Sequence, residues 1–252
     1  MIPAERQRAI LALLGNQQVI SISELTQHLD VSHMTIRRDI AKLEADGRVM
    51  SVSGGVQLSE SIHIELPHDD KIARQRDEKA RIGQHAASYI KPHSTVYLDA
   101  GTTTLEIAHQ LNHRDDLTVI TNDFAIAAYL MAHSDCMLYH TGGKVDRHNQ
   151  SCVGDKAVSL LREMNVDMAF ISSSSWNQRG ISTPSEDKVT VKRAIVAAAK
   201  TNYLVTDASK YGKVATFHAL DISSFDRVIT DQALSESSLH DFAEKGISVD
   251  RV

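Results

Sequence analysis

Along the first sixty residues, apolar positions recur at helical spacing and then switch to alternation. Ile10, Leu13 and Leu14 follow a polar start and Gly15-Asn16 stops the run, which predicts an amphipathic helix over Ala4–Gly15. Ser23 is the expected N-cap of a second helix, Glu24–Leu29, with Leu25 and Leu29 one turn apart. After the break at Asp30-Val31-Ser32, Ser32 can cap a third helix from His33 to about Asp46, ended by Gly47. Arg48–Val52 and Val56–Leu58 read as strands on either side of Ser53-Gly54-Gly55, the pattern of a hairpin. Residues 1–58 therefore predict a small winged helix-turn-helix, an arrangement that reads DNA.

Residues 59–76 lose periodicity and are rich in polar residues and His, with Pro67 among them, so they are read as a linker. Helical spacing resumes over Asp77–Tyr89. Short apolar strands then alternate with helices: Thr95–Leu98, Leu117–Thr121, Cys136–His140, Asp167–Ile171, Tyr203–Thr206 and Arg227–Thr230 are the strands. Leu105–Leu111, Phe124–Ala132, Ala157–Met164, Val189–Lys200 and Leu239–Lys245 are the helices. The alternation predicts an α/β domain over residues 77–252 with a mainly parallel sheet.

On the third helix Ile36, Ile40 and Leu43 mark the buried face. The opposite face carries Met34, Arg38, Ala41 and Lys42, flanked by Thr35 and Arg37. Arg38 is the expected base-edge reader; Thr35, Arg37 and Lys42 are expected at phosphates, because positioning contacts outnumber base contacts. The competing reading is a solvated helix with ordinary surface charges, Asp39 and Glu44 among them. Ser21, Ser32 and His33 complete the candidate DNA-contacting set.

Charge complicates this reading. The chain of 252 residues carries a formal net charge of −5, yet residues 1–58 hold six basic and six acidic side chains and are neutral. A neutral segment can grip a polyanion only if its cations share one face, so geometry must decide. Apolar residues make up 42% and charged residues 23%, a balance that excludes a disordered chain. No apolar run is long enough for a membrane span, and MIPAERQRAI lacks the core of a secretory signal, which points to the cytoplasm. Cys136 and Cys152 have no ligand or disulfide spacing. His109 and His113 are four apart on a predicted helix but lack a third ligand, so no metal site or cofactor is expected.

In an open parallel sheet, ligands sit beyond the carboxyl ends of strands, and four such ends here are polar. Asp99-Ala100-Gly101-Thr102-Thr103-Thr104 leaves a strand for a helix; Thr121-Asn122, Thr141-Gly142-Gly143-Lys144 and Asp207-Ala208-Ser209-Lys210 end three others. Glycines allow close approach, and hydroxyls with helix N-terminal amides suit an anion. Together they suggest a pocket for a small phosphorylated or otherwise anionic polyol. Lys144 or Lys210 would neutralise charge, and Asp99 or Asp207 would accept hydroxyl hydrogens.

SHMTIRRDIAKLEADGRV followed by SGGV resembles the N-terminal domain of the DeoR-type family of bacterial transcriptional regulators, through Ser32, Thr35, Arg37, Arg38 and Asp39. Family members carry a basic residue and a histidine just before the paired wing glycines, where this chain has Ser51 and Ser53. DAGTTT, TND, TGGK, Glu186 with Lys192-Arg193-Ala194, DASKYG and ITD resemble the family's sensor domain. The resemblance implies a fold similar to ribose-5-phosphate isomerase and a phosphorylated sugar or related metabolite as effector. Carried over by position, it implicates Asp99, Gly101, Thr102, Thr103, Thr121, Asn122, Gly142, Gly143, Glu186, Lys192, Asp207 and Lys210. The family's glycine-rich, aspartate-bearing loop is replaced here by Ser172-Ser173-Ser174-Ser175-Trp176, which points to a different effector or weaker binding.

The sequence thus predicts a regulator, a repressor by family tendency, bound to double-stranded operator DNA as a homo-oligomer and controlled by a small anionic metabolite. The alternative is an isomerase-like enzyme carrying a DNA-binding module, with Glu186, Asp99 and Asp207 as carboxylates. The serines stand where such an enzyme would place its acids, so no activity is expected.

Overall fold

The computed structural model describes residues 1–52 and 54–252. The first unit comprises α1 (Pro3–Asn16), α2 (Ile22–Leu29), α3 (His33–Ala45) and an antiparallel hairpin of β1 (Val49–Val52) and β2 (Gly55–Leu58). Ile10, Leu14, Leu25, Ile36, Ile40 and Leu43 close one core with Val49 and Val56 of the hairpin. Ser21 rather than Ser23 caps α2: its Oγ accepts from the Glu24 N–H while the Glu24 carboxylate accepts from the Ser21 N–H. That reciprocal box satisfies two backbone donors at once, which a cap at Ser23 would not. Ser32 caps α3. Gly55 is required by crowding, since a Cβ there would lie 2.3 Å from the Ile20 carbonyl oxygen. Ser53, expected in the wing turn, lies outside the described residues.

Residues 59–76 hold β3 (Ser61–Ile62) and α4 (His68–Ile72), elements too short to leave a periodic signature. There follow α5 (Arg76–Ala87), β4 (Thr95–Leu98), α6 (Thr102–Ala108), β5 (Thr118–Thr121), α7 (Phe124–His133), β6 (Met137–His140), β7 (Lys144–Asp146) and β8 (Ser151–Val153). The chain continues through α8 (Asp155–Arg162), β9 (Val166–Ile171), β10 (Ser175–Asn177), β11 (Gly180–Thr183), α9 (Glu186–Ala198) and β12 (Ala199–Val205). It ends with β13 (Val214–Ala215), β14 (Phe217–Asp221), β15 (Arg227–Thr230), α10 (Glu236–Glu244) and β16 (Ser248–Arg251).

Seven strands form the main sheet in the order β16-β15-β12-β9-β4-β5-β6, and all six pairings are parallel. Val96 and Leu98 of β4 face a core shared with Ile82, Ile107 and Ile126 of α5–α7. Tyr97 faces the other core, with Leu161, Ile195 and Phe242 of α8–α10. Burial on both faces is what makes these strands continuous apolar runs. The chain enters the sheet at β4, steps outward to β5 and β6, and crosses back to β9 on the other side. The β4 and β9 ends therefore diverge at a topological switch point, where such folds open a crevice.

The small antiparallel sheet β10-β11-β14, the hairpin β7-β8 and the edge strand β16 lie outside the sequence expectation. They are three to five residues long, and β16 reads Ser-Val-Asp-Arg, so neither length nor apolar content marks them.

Candidate functional site

The reader helix sorts its charges by burial. Asp39 is only 3% exposed and forms an ion pair with Arg6 of α1, with the Gln7 side-chain amide donating to its other oxygen at 3.3 Å. Glu44 is buried and accepts from the Ser51 N–H and hydroxyl at 3.0 Å each. Burial pushes the Glu44 carboxyl up despite those two bonds. The competing reading, with Asp39 and Glu44 as surface charges, is therefore set aside: each is consumed by packing α3 on α1 or on the wing. His33, Met34, Arg37, Arg38 and Lys42 are exposed, and Thr35 is half-buried. A segment neutral by count thus presents a cationic outer face. Ser21 and Ser32 spend their hydroxyls as caps, and Lys42 rests on Asp46 at 2.9 Å, both exposed.

The second candidate is a cavity of about 360 Å³ at the switch point. Its wall on the sheet side is Ala100-Gly101-Thr102-Thr103 after β4 and Ser172–Ser174 after β9, with Asp207, Ser209 and Lys210 after β12. Of the predicted residues, Gly101, Thr102, Thr103, Asp207 and Lys210 line it. Gly101 permits the two loops to meet, because a Cβ would lie 2.8 Å from Ser172 Oγ. Thr103 Oγ1 is buried without a hydrogen-bond partner among the described residues, and so is available to a bound polar group. The Lys210 charge and the Ser209 hydroxyl hold the Asp207 carboxyl below its ordinary range even though burial alone would raise it.

Asp99, Asn122 and Lys192 line a narrow adjoining cleft instead. Asp99 is ion-paired to Lys192 and accepts from the Ser172 N–H at 3.1 Å. Asn122 accepts from Tyr97 OH and the Ala100 N–H at 2.9 Å each, and donates to the Cys152 carbonyl at 3.0 Å. Thr121 donates to the Leu98 carbonyl at 2.7 Å, tying β5 to β4. These groups shape the crevice from beneath. Gly142, Gly143, Lys144 and Glu186 line neither space. Their distance has a simple cause for the first three: the β6 end lies two strands, roughly 10 Å, from β4. Lys144 pairs instead with Asp187 at 2.7 Å, and Glu186 is exposed at the start of α9.

Sequence reading missed the opposite wall, which comes from residues 60–66, α4 and the start of α5. It brings Lys71, Arg74 and Lys79, and Lys213 follows from the loop after Lys210. Five cations thus surround the cavity against the carboxylates Glu60, Glu65 and Asp207. Lys79 is 3% exposed, donates to the Lys71 carbonyl, and has no carboxylate at ion-pair distance among the described residues. Burial, reinforced by the nearby Lys210 charge, lowers its pKa to about 8. An anion in the cavity would supply the missing partner. The available signal was Lys71 and Arg74 in the stretch read as a linker, followed by Lys79 in the first turn of the helix expected from Asp77.

Among the described residues no cluster of His, Cys, Asp and Glu could hold a metal, and no helix is long and apolar enough to cross a membrane. His109 and His113 do not share a helix face: α6 ends at Ala108, and His113 adopts a left-handed φ of 60°. His109 bonds Glu106 at 2.9 Å.

Two family models match the chain. The DeoR-like helix-turn-helix domain spans residues 6–62, and the DeoR C terminal sensor domain spans residues 74–232. An uncharacterized HTH-type transcriptional regulator of Haemophilus influenzae is 54% identical over 249 residues, covering 99% of this chain and 97% of the relative. The glycerol-3-phosphate regulon repressor of Escherichia coli is 31% identical over 232 residues, with 92% of each covered. Among solved structures, ribose 5-phosphate isomerase a from Methanocaldococcus jannaschii aligns over 54% of each chain at 17% identity, with a TM-score of 0.39.

Proposed function

Because the chain belongs to the DeoR family of transcriptional regulators, we propose that it is a repressor whose hold on operator DNA is set by a small phosphorylated sugar or related anionic metabolite. It is a DNA-binding transcriptional regulator and not an enzyme. On the finer reading, residues 1–58 contact a cytoplasmic operator, residues 59–76 link, and residues 77–252 sense the metabolite and oligomerise. The name of the E. coli relative supports repression as the mode.

The observation that carries the reading is the opposite sorting of charge in the two units. Exposed Arg37, Arg38 and Lys42 suit an extended polyanion, whereas Lys79, buried without an acid partner beside a crevice of about 360 Å³, suits a small one. In the operator complex Arg38 reads a base edge and Met34 offers an apolar surface, with Thr35, Arg37 and Lys42 at phosphates. In the sensor, Lys79, Lys210 and Arg74 neutralise the phosphate while Asp207 and Thr103 take hydroxyls. Two readers pair to span two half-sites, and exposed Met137 and Tyr139 on the free edge β6 are available for self-association.

Selection of duplexes from a random pool with the full chain tests this. The enriched site is expected to contain two half-sites about 10 bp apart or a multiple of that. A phosphorylated member of a metabolite panel should change its affinity while the unphosphorylated counterpart does not. No enriched motif would overturn the DNA assignment, and a response to unphosphorylated compounds alone would overturn the effector class.

A further inference from the structure

Residues 59–66 run as a strap from the wing to the sensor. Ser59 N–H bonds the Arg48 carbonyl at 3.1 Å at one end, and β3 pairs with β13 over two residues. Beyond β3 the strap is held in an unusual way. Ile64 is 82% exposed and Leu66 39%, so its apolar side chains face outward. Between them Glu65 turns inward, its side chain 14% exposed, and one oxygen meets Lys71 Nζ at 2.8 Å while the other meets Lys188 Nζ at 2.5 Å. Both lysines are themselves largely covered, at 18% and 12%. His148 Nε2 adds one contact to the Glu65 carbonyl at 2.7 Å. The attachment is thus a carboxylate in a two-lysine seat rather than buried apolar area, and burying Ile64 instead would have been the ordinary way to fasten a linker. Burial alone would raise the Glu65 carboxyl, but the Lys188 and Lys71 charges outweigh it and hold it at about 2, so it is ionised at every physiological pH.

The seat is also a partition. Glu65 lines both the 360 Å³ cavity and the cleft that contains Lys188, and Lys71 lines the cavity itself. An acid group entering from the cavity would meet the same two cations that Glu65 now occupies.

We propose that Glu65 is an internal anion holding the place of a second acid group on the effector, so that the effector is anionic at both ends and its binding exchanges the strap off Lys71 and Lys188. The inference rests on the phosphate reading of the cavity, whose lining carries Lys79, Lys210 and Arg74 as well as Lys71 and Glu65 of the seat. A ligand with phosphate alone would meet the first three and leave the strap fastened. A phosphorylated sugar acid would also take the seat and free the segment that leads directly into the wing.

Calorimetry of the full chain with 3-phosphoglycerate and glycerol 3-phosphate, which differ in a carboxylate, tests the exchange. Glu65→Gln is expected to bind 3-phosphoglycerate at least tenfold more tightly than the wild type, with glycerol 3-phosphate unchanged, and Lys188→Gln is expected to lose that preference. A ratio of the two affinities that stays at its wild-type value in Glu65→Gln overturns the second subsite while leaving the phosphate reading intact. If no variant binds either compound, the phosphate reading fails, and hydrogen exchange then judges the clamp by itself. The Val214 amide, bonded to the Glu60 carbonyl at 2.9 Å, should exchange at least tenfold faster in both variants, while the Asp99 amide in the sheet should not change. Unchanged exchange at Val214 would overturn the clamp.

Discussion

The reader and the sensor use one electrostatic device with opposite sign. In the reader, the acids Asp39 and Glu44 are buried, by Arg6 and by Ser51, and the cations left over face outward. In the sensor, cations are drawn inward around a crevice, and one of them, Lys79, is left without an acid partner. On the proposed function, the difference sets the size of anion each would suit. A row of exposed cations matches a polymer whose charges repeat, while a walled cluster admits only something of a few hundred cubic ångströms. Net charge shows neither arrangement; which sign is buried shows both.

The largest effect should come from breaking the reader's buried pair. Asp39→Ala leaves the Arg6 guanidinium in the core without its partner, and should destabilise the reader by about 3 to 5 kcal/mol. Thermal unfolding should show it, with the sensor's own transition unmoved. A loss below about 1 kcal/mol would mean that the pair is not what sorts the charges. Smaller changes sharpen the outer face. Arg38→Ala should cost about 1 to 3 kcal/mol on the selected operator and relax preference at one base pair, while Lys42→Ala should weaken all duplexes alike and lower the salt slope by about one. Lys42 first has to leave Asp46, so its effect should be the smaller of the two. Equal behaviour of the two variants would undo the division between base and phosphate contacts.

Much of this was legible in the sequence, and for identifiable reasons. Long periodic elements were, because helices such as α3 and doubly buried strands such as β4 and β15 carry an unmistakable apolar pattern. The strand-end loops were legible as polar, but their place in the sheet was not. Strand order sends Gly142, Gly143 and Lys144 two strands away from the crevice while bringing Asp207 and Lys210 into it. The cationic wall was hidden for a different reason. Lys71 and Arg74 lie on and just after a five-residue helix that follows a two-residue strand, and neither is long enough to repeat, while Lys79 sits on α5, whose spacing marks a helix but not the crevice its first turn faces. The competing reading of Asp39 and Glu44 as solvated surface charges fails because helical spacing gives a direction and not the identity of the neighbour met there.

Whether an inward-facing cation reads the signal is settled by the affinity of the full chain for its selected operator, with and without the phosphorylated compound that shifts it, for the wild type and Lys79→Met at pH 7 and pH 9.5. In the free protein burial lowers the Lys79 pKa to about 8, and a bound anion would raise it. Compound binding then takes up a proton above pH 8, so the compound's affinity should be level below that pH and fall by up to tenfold per unit above it. Lys79→Met is expected to bind operator as the wild type does but no longer to respond to the compound at pH 7, and the wild-type response is expected to fade by pH 9.5. A Lys79→Met chain that still responds fully, with a wild-type response equal at the two pH values, would contradict the claim that an inward-facing cation reads the signal.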